Sequence, residues 1–139
     1  MIHVFYEDCS LSGKQHEDVV SKMSQVVENE GFKEGNLSVV FCSDTYLLEI
    51  NKAHLDHDYY TDILTFSYNE NNLINGDLFI SVDRLKENAE VNNVEFLNEL
   101  SRVVIHGVLH LCGYNDKTPE EITLMREKES DYLKRICFT

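Results

Sequence analysis

Residues 94–116 read VEFLNELSRVVIHGVLHLCGYND, and this stretch carries the clearest structural signal in the 139-residue chain. Its apolar residues recur every three or four positions, as on one face of an α-helix, and they are Phe96, Leu97, Leu100, Val103, Val104, Val108 and Leu111. Ile105, Leu109 and Cys112 widen that stripe in the last two turns. The pattern predicts a helix over residues 94–112 whose second half is largely buried, and Gly113 is a typical residue to end it.

Only one narrow face of this helix is not apolar, and this face carries His106 and His110. Histidines four apart on a helix have Cβ atoms about 5–6 Å apart, so both rings can reach one metal ion. Glu99 and Arg102 project near the same face. Asp116 follows the glycine break by three positions, where the chain can turn back and supply a third ligand. Three protein ligands leave one position open, which is typical of catalytic zinc sites.

The same residues allow another interpretation, in which the two histidines are hydrogen-bonded core residues and Asp116 only caps the next helix. Metalloproteases use similar histidine spacing, but a glutamate follows their first histidine and acts as general base. Gly107 occupies that position here and has no side chain to accept a proton. The pattern therefore favours a metal ion and disfavours peptide hydrolysis. A metal ion could instead assist phosphodiester cleavage, by polarising a phosphoryl oxygen and activating water.

The rest of the chain alternates between strand-like and helix-like segments. Four segments have the composition of β-strands, namely IHVFYE, NLSVVFCS, DILTFSY and GDLFISV. Three more predict helices, namely KQHEDVVSKMSQVVENEGF, DTYLLEINKAHL and VDRLKENAEVN. A last helix is predicted to begin with a capping box at Thr118, Pro119 and Glu121 and to run to about Ile136. We expect one α/β (α+β) domain over residues 1–139, with a mixed sheet of about four strands flanked by helices and a metal site on a buried helix.

The composition adds limits on location and partners. The chain has no charged leader followed by an apolar segment and no apolar run of about 18 residues, so we expect a soluble, cytoplasmic protein without a membrane partner. Its four cysteines are far apart, which disfavours a disulfide framework and a four-cysteine zinc site. A net charge of -13 disfavours non-specific binding to nucleic acid.

Three sequence blocks together resemble one known family. HGVLHLCGYND resembles the H-G-x-L-H-L-x-G-Y-D-H signature of the YbeY endoribonuclease family. Ile50–Phe66, of the form IN(x9)TDILTF, is similar to the family's L-N-(x9)-T-[DN]-[VI]-L-[ST]-F, and NGDLFIS is similar to its G-D-[IL]-x-[IL] strand. The blocks follow the family's order and spacing, so the resemblance covers most of the chain from about Leu37 onward.

This resemblance implies a compact α/β domain that holds one Zn²⁺ per chain. It also implies a zinc-dependent, single-strand-specific endoribonuclease that acts in small-subunit rRNA 3′-end maturation and in ribosome quality control. The implied partners are single-stranded rRNA and the small ribosomal subunit with its associated proteins. Two alternatives stay open, namely a non-catalytic ribosome-assembly factor with a structural zinc and a metal-dependent hydrolase of another substrate.

Carried over residue by residue, the resemblance makes His106 and His110 metal ligands. Asp116 stands where the family usually has a third histidine, and carboxylate oxygen is also a good zinc ligand. Leu55 stands where the family usually has an arginine that would contact phosphate.

Arg102 and Lys117 are candidates to supply the missing positive charge. Arg102 would contact phosphate in a catalytic role, and Lys117 would bind substrate. The alternatives are an Arg102–Glu99 ion pair and a solvated Lys117. Tyr114 is a further candidate for substrate binding, by stacking on a base or by forming a wall of the cleft.

Four residues near the second block are given structural roles. We interpret His54 and His57 as surface loop histidines, with a contribution to the site as the alternative. Thr61 and Asp62 match the family's block and are also suited to a turn or a helix cap.

Overall fold

The computed structural model describes residues 1–11, 13–55 and 60–135, and it confirms the predicted α+β fold with a four-stranded mixed sheet. The strands are β1 (Ile2–Glu7), β2 (Lys33–Cys42), β3 (Ile63–Ser67) and β4 (Leu73–Ser81). They lie in the order β1-β2-β4-β3, in which β1 and β4 run parallel to β2 and the edge strand β3 runs antiparallel to β4. His57 and Ile136 fall outside the described residues, as does Cys137.

The helices of the described residues are α1 (Gln15–Ser21), α2 (Met23–Asn29), α3 (Asp44–Leu55), α4 (Val82–Val91), α5 (Phe96–Leu111) and α6 (Pro119–Arg135). The first predicted helix is divided into α1 and α2 at Lys22. The Lys22 N–H donates to the Val19 carbonyl at 3.1 Å, a contact three residues back that tightens the turn. The predicted apolar stripe still continues across the break, and all of its members are buried: Val19, Val20, Met23, Val26 and Val27.

Strands β2 and β4 begin three residues earlier than the sequence pattern predicts, and asparagine side chains explain why. Asn75 Oδ1 accepts from the Asn36 N–H at 2.7 Å, and Asn69 Oδ1 accepts from the Asn75 N–H at 2.8 Å. Asparagine is typical of turns, so this polar segment is easily taken for a loop. Here the side-chain oxygens of Asn69 and Asn75 accept hydrogen bonds from backbone N–H groups near a β-bulge, which lies between Glu34 and Leu37.

Helix α5 lies at the centre of the molecule and positions the candidate site. It packs on the face of the sheet that presents Leu37, Val39, Phe41, Leu78 and Ile80, and it contacts α1, α2, α4 and α6 as well as β3 and β4. Ten of its residues are buried, and six of these lie in its second half, as the sequence pattern predicts: Val104, Ile105, Gly107, Val108, Leu109 and Leu111. The opposite face of the sheet is covered by α3 through a smaller cluster of Cys42, Leu47 and Leu64.

Each aliphatic side chain buried under α5 contributes about 1.5–3 kcal/mol relative to an exposed one, so this packing stabilises the position of the helix. Among the described helices, none combines the length and the apolar composition needed to cross a lipid bilayer.

Candidate metal centre

His106 and His110 lie one turn apart in the C-terminal half of α5. Their Nε2 atoms are 3.0 Å apart, and their ring centroids are separated by 4.6 Å. The two side chains are 18% and 22% exposed, so the pair lies at the boundary between the core and solvent. The helix thus brings together the two residues that its spacing predicted.

Hydrogen bonds on the opposite ring nitrogens determine what the two Nε2 atoms can do. His110 Nδ1 lies 2.9 Å from the Tyr114 carbonyl oxygen, which can only accept, so Nδ1 carries the proton. His106 Nδ1 lies 2.6 Å from Glu129 Oε2 and donates to that carboxylate. In the neutral imidazoles, both Nε2 atoms are therefore lone-pair acceptors, as a metal ligand must be.

Asp116 reaches the same point from the loop between α5 and α6. Gly113 has φ +107°, and the N–H groups of Gly113 and Tyr114 bond back to the carbonyls of His110 and Leu109, each at 3.0 Å. This Schellman pattern reverses the chain immediately after α5, which confirms the predicted end of the helix. Asp116 Oδ2 then lies 3.3 Å from His110 Nε2 and 3.4 Å from His106 Nε2.

The three converging atoms form a nearly equilateral triangle with sides of 3.0, 3.3 and 3.4 Å. A tetrahedral zinc ion with bonds of about 2.0–2.1 Å sets neighbouring ligand atoms about 3.3–3.4 Å apart. All three atoms are acceptors, and they repel one another unless a cation or a proton lies between them. The donor set and its spacing therefore fit a zinc-sized ion.

Glu129 of α6 is the residue of this site that the sequence did not predict. Its side chain is almost fully buried, and its carboxylate accepts from His106 Nδ1, from Arg102 Nη1 at 3.1 Å and from Arg126 Nη1 at 3.3 Å. Burial raises the pKa of Glu129, but the contacts with His106 and Arg102 outweigh it and leave the pKa lowered. A carboxylate so placed fixes the ring and the tautomer of a metal-binding histidine.

Arg102 lies one turn before His106 and is held by two carboxylates. Its Nε and Nη2 donate to Glu99 at 3.1 and 2.6 Å, and its Nη1 donates to Glu129. Burial lowers the pKa of Arg102, but the hydrogen bonds and charges of Glu99 and Glu129 outweigh it, and the pKa is raised. The ion pair with Glu99, one of the two sequence interpretations, is present. The predicted contact with phosphate stays a prediction.

The structure places the other two candidate residues on the loop beside Asp116. The Tyr114 hydroxyl donates to Glu30 at 2.6 Å, and the ring packs against the main hydrophobic core. Lys117 is exposed, and its backbone N–H donates to Glu121 at 3.2 Å. Lys117 is next to Asp116 in the chain, whereas the side chain of Tyr114 is turned towards Glu30. The binding roles of both residues stay predictions.

Gly107 faces away from this site and towards the sheet. A Cβ atom at this position would lie 2.7 Å from Ile63 Cδ1, which is closer than Cβ atoms approach other atoms in folded proteins, and a tight 3.0 Å from Leu78 Cδ2. Gly107 therefore allows α5 to pack closely on β3 and β4. A glutamate here would be buried against Ile63 and Leu78, so the protease general base has no room at this position.

Asp62 lies just before β3, close enough to Arg102 and His106 for their charges to act on it. Burial raises its pKa more than these two charges lower it, and the net result is a raised pKa. The Ser81 N–H donates to the Asp62 carbonyl at 2.9 Å, which joins the start of β3 to the end of β4. The Thr61 hydroxyl donates to the Ile63 carbonyl at 3.4 Å, in keeping with a turn residue.

His54 is exposed, as predicted, but it lies in the last turn of α3 and not in a loop. Its ring is 6.1 Å from that of Phe66, which packs in the smaller cluster on the opposite face of the sheet from α5. It is therefore separate from the candidate metal centre.

Comparison with known proteins identifies relatives along nearly the whole chain. The profile of the family described as Endoribonuclease YbeY matches residues 2–137. A protein of that name from Parabacteroides distasonis is 47% identical over 132 residues, covering 95% of this chain and 93% of the relative. A protein of the same name from Flavobacterium psychrophilum is 45% identical, and the match covers 87% of this chain and 86% of the relative. Another from Cytophaga hutchinsonii is 44% identical, and that match covers 95% of this chain and 93% of the relative.

A solved structure supports the same relationship. The solution structure of a protein from Thermotoga maritima has a TM-score of 0.70 and 30% sequence identity to this chain. The match covers 96% of this chain and 87% of that protein, so the two share the fold over nearly all of this chain.

Proposed function

This chain belongs to the YbeY endoribonuclease family, and we propose that it is a zinc-dependent, single-strand-specific endoribonuclease. Its proposed role is 3′-end maturation of small-subunit rRNA and ribosome quality control. The proposed partners are single-stranded rRNA and the small ribosomal subunit with its associated proteins, which implies a cytoplasmic location.

The observation that carries this proposal is the convergence of His106, His110 and Asp116. Each of them offers a ligand atom, and these atoms lie within 4.8 Å of one another. We propose that the three residues hold one zinc ion per chain. When bound, such an ion supplies Lewis acidity towards a phosphoryl oxygen and towards water.

The surrounding residues fix the geometry that this chemistry needs. Glu129 holds the ring of His106, and the Tyr114 carbonyl holds the ring of His110. Three protein ligands are typical of catalytic zinc, whereas structural zinc usually has four. The Asp116 side chain is 41% exposed, so the solvent side of the site is accessible. These features favour a catalytic centre over a purely structural one.

Substrate contacts are proposed for the residues that border the site. Arg102, 20% exposed, would place positive charge beside His106, and Lys117 would meet the RNA beside Asp116. Tyr114, whose hydroxyl is bound to Glu30, would form a wall of the cleft. In RNA, the 2′-OH next to the scissile phosphate can itself be the nucleophile. The protein then needs to stabilise developing charge and does not need a side-chain nucleophile.

The experiment compares cleavage of a short single-stranded RNA and of immature small subunits by wild type, His110→Ala and His54→Ala. His54→Ala is the matched control, because it removes an exposed histidine on the opposite face of the sheet. We expect wild type and His54→Ala to cleave, and His110→Ala to lose both cleavage and zinc.

Two outcomes would contradict the proposal. Equal cleavage by wild type and His110→Ala would assign the activity to a contaminating nuclease. Stable zinc binding by a wild-type protein that cleaves neither substrate would favour the assembly factor with a structural zinc.

A further inference from the structure

A second cluster of polar side chains lies behind the loop that carries Asp116. Glu30, which follows α2, has a side chain that is only 8% exposed, and its carboxylate accepts from Tyr114 Oη at 2.6 Å and from Tyr132 Oη. Lys128 Nζ lies 3.3 Å from the same carboxylate and 5.4 Å from the centroid of the Tyr114 ring. One buried carboxylate thus joins three elements: the end of α2, the ligand loop and α6.

Tyr114 connects this cluster to the candidate metal centre. Its hydroxyl is bound to Glu30, and its backbone carbonyl accepts from His110 Nδ1 at 2.9 Å. Asp116 follows two residues later. The position of Tyr114 therefore affects both the ring orientation of His110 and the path of the chain to Asp116.

The ligand loop has a particular need for such an anchor. Asp116 is the one proposed ligand that does not lie on a helix, and its side chain is more exposed than those of the two histidines. The loop ends are fixed by the Schellman pattern at Gly113 and by the capping box, in which Thr118 and Glu121 exchange hydrogen bonds of 3.0 and 3.1 Å. Between these ends, Tyr114 ties the loop to α2.

We propose that Glu30 is a positioning residue for the metal centre, holding Tyr114 and, through it, His110 and Asp116 in the geometry that binds the ion. This inference rests on the proposed function, because it takes His110 and Asp116 as ligands. Glu30 acts here without touching the ion. Groups that hydrogen-bond directly to a metal ligand typically change metal affinity about 10–100-fold when removed, and Glu30 acts one contact further from the ion, through Tyr114.

Two substitutions that each remove one hydroxyl group form a matched pair. Tyr114→Phe and Tyr132→Phe both delete a hydrogen bond to Glu30, but only Tyr114 lies in the ligand loop. Zinc affinity of the metal-free protein would be measured by competition with a chromogenic chelator, and thermal unfolding would be recorded for each variant. The absorption spectrum of the Co²⁺-loaded protein would report the geometry of the ligands independently of activity.

We expect Tyr114→Phe to weaken zinc affinity about 10-fold and to alter the Co²⁺ spectrum. Tyr132→Phe should keep the wild-type affinity and spectrum even where it lowers the unfolding temperature. Glu30→Gln keeps the shape of the side chain but removes its charge, and we expect it to weaken zinc affinity in the same direction as Tyr114→Phe.

Equal zinc affinity in wild type, Tyr114→Phe and Glu30→Gln would overturn the positioning role and leave the zinc site itself standing. Equal losses in Tyr114→Phe and Tyr132→Phe would also overturn it, because they would indicate a general loosening of the cluster. A wild-type protein that binds no zinc would contradict the proposed function and this inference together.

Discussion

At the residue scale, the two Nδ1 contacts determine the chemistry of the histidine pair. With Glu129 at 2.6 Å and the Tyr114 carbonyl at 2.9 Å, each Nε2 is left as an acceptor that points at Asp116. The sequence predicted the three converging residues, because helical spacing and a glycine break are local signals. It did not predict Glu129, because the contact between α5 and α6 spans 23 residues. The sequence did contain a signal for the burial of Glu129, because this residue lies four positions after Met125 and three before Tyr132, on the same face of α6 as these buried residues.

Substitution of Asp116 tests its proposed role as the third ligand. We expect Asp116→Ala to weaken zinc affinity by more than the roughly 10–100-fold typical of an outer partner, because it removes a charged ligand. Asp116→His should retain zinc, since an imidazole nitrogen can replace the carboxylate oxygen. Zinc titration of the metal-free proteins is the measurement. If the Ala and His variants bind zinc alike, Asp116 is not a ligand.

Glu30 provides a prediction about pH. Burial raises its pKa, but the hydrogen bonds from Tyr114, Tyr132 and Lys128 outweigh it, and the pKa is lowered. A carboxyl group with a lowered pKa in the folded state stabilises the fold above its unfolded pKa of about 4.3. That contribution is lost as the pH falls through the lowered, folded-state pKa.

We therefore expect the free energy of unfolding of wild type to exceed that of Glu30→Gln near neutral pH, and the difference to shrink on acidification below about pH 4.3. Denaturant unfolding with a chelator present measures this difference without the metal. Glu28→Gln, at an exposed position of α2, is the control for removing a charge from this helix. A wild-type advantage that stays constant or grows on acidification would contradict the assignment.

At the element scale, the close contact between α5 and the sheet decides where the site lies. Gly107 allows this approach, and it explains in physical terms why the residue after His106 has no side chain. The sequence predicted the buried helix and the four strands, because their periodicities are local. It did not predict the division of the first helix at Lys22 or the early starts of β2 and β4. Those features depend on individual hydrogen bonds that apolar spacing does not report.

The packing at Gly107 gives a prediction about stability. We expect Gly107→Ala to lower the free energy of unfolding, because overpacking costs about 1–3 kcal/mol while alanine gains up to about 1 kcal/mol in helix propensity. Ile63→Val removes the Cδ1 atom that the new Cβ would meet at 2.7 Å. Gly107→Ala should therefore be less destabilising in the Ile63→Val background.

A double-mutant cycle from denaturant unfolding measures this coupling, which we expect to be about 0.5–3 kcal/mol. Additive effects of the two substitutions would show that the contact between residues 107 and 63 does not limit the approach of α5 to the sheet.

At the scale of the whole molecule, the distribution of charge bears on the proposed binding of RNA. The chain carries a net charge of -13, and acidic residues outnumber basic ones 19 to 7 before His106 but only 6 to 5 from His106 onward. The long-range field repels a polyanion, while the segment from His106 onward, which contains the proposed ligands and α6, is nearly balanced in charge. We therefore expect weak binding of isolated RNA and infer that docking depends on the ribosomal particle.

The corresponding prediction is that naked single-stranded RNA is cleaved slowly and that immature small subunits are better substrates. With few phosphates contacted, log K should fall with log salt by about 0.7 for each contact to a single strand. Lys117→Ala should reduce the magnitude of this slope by about 0.7, the value for one phosphate contact. Lys14→Ala, which removes another exposed lysine, should leave the slope unchanged. A steep salt dependence that is unchanged in Lys117→Ala would contradict this view of RNA binding.

The central claim is that His106, His110 and Asp116 hold one zinc ion. Elemental analysis of protein purified without a chelator or a histidine tag tests it most directly, with the His106→Ala, His110→Ala double variant as control. We expect one zinc per chain in the wild type and none in the double variant. Equal metal content in the two proteins would contradict it.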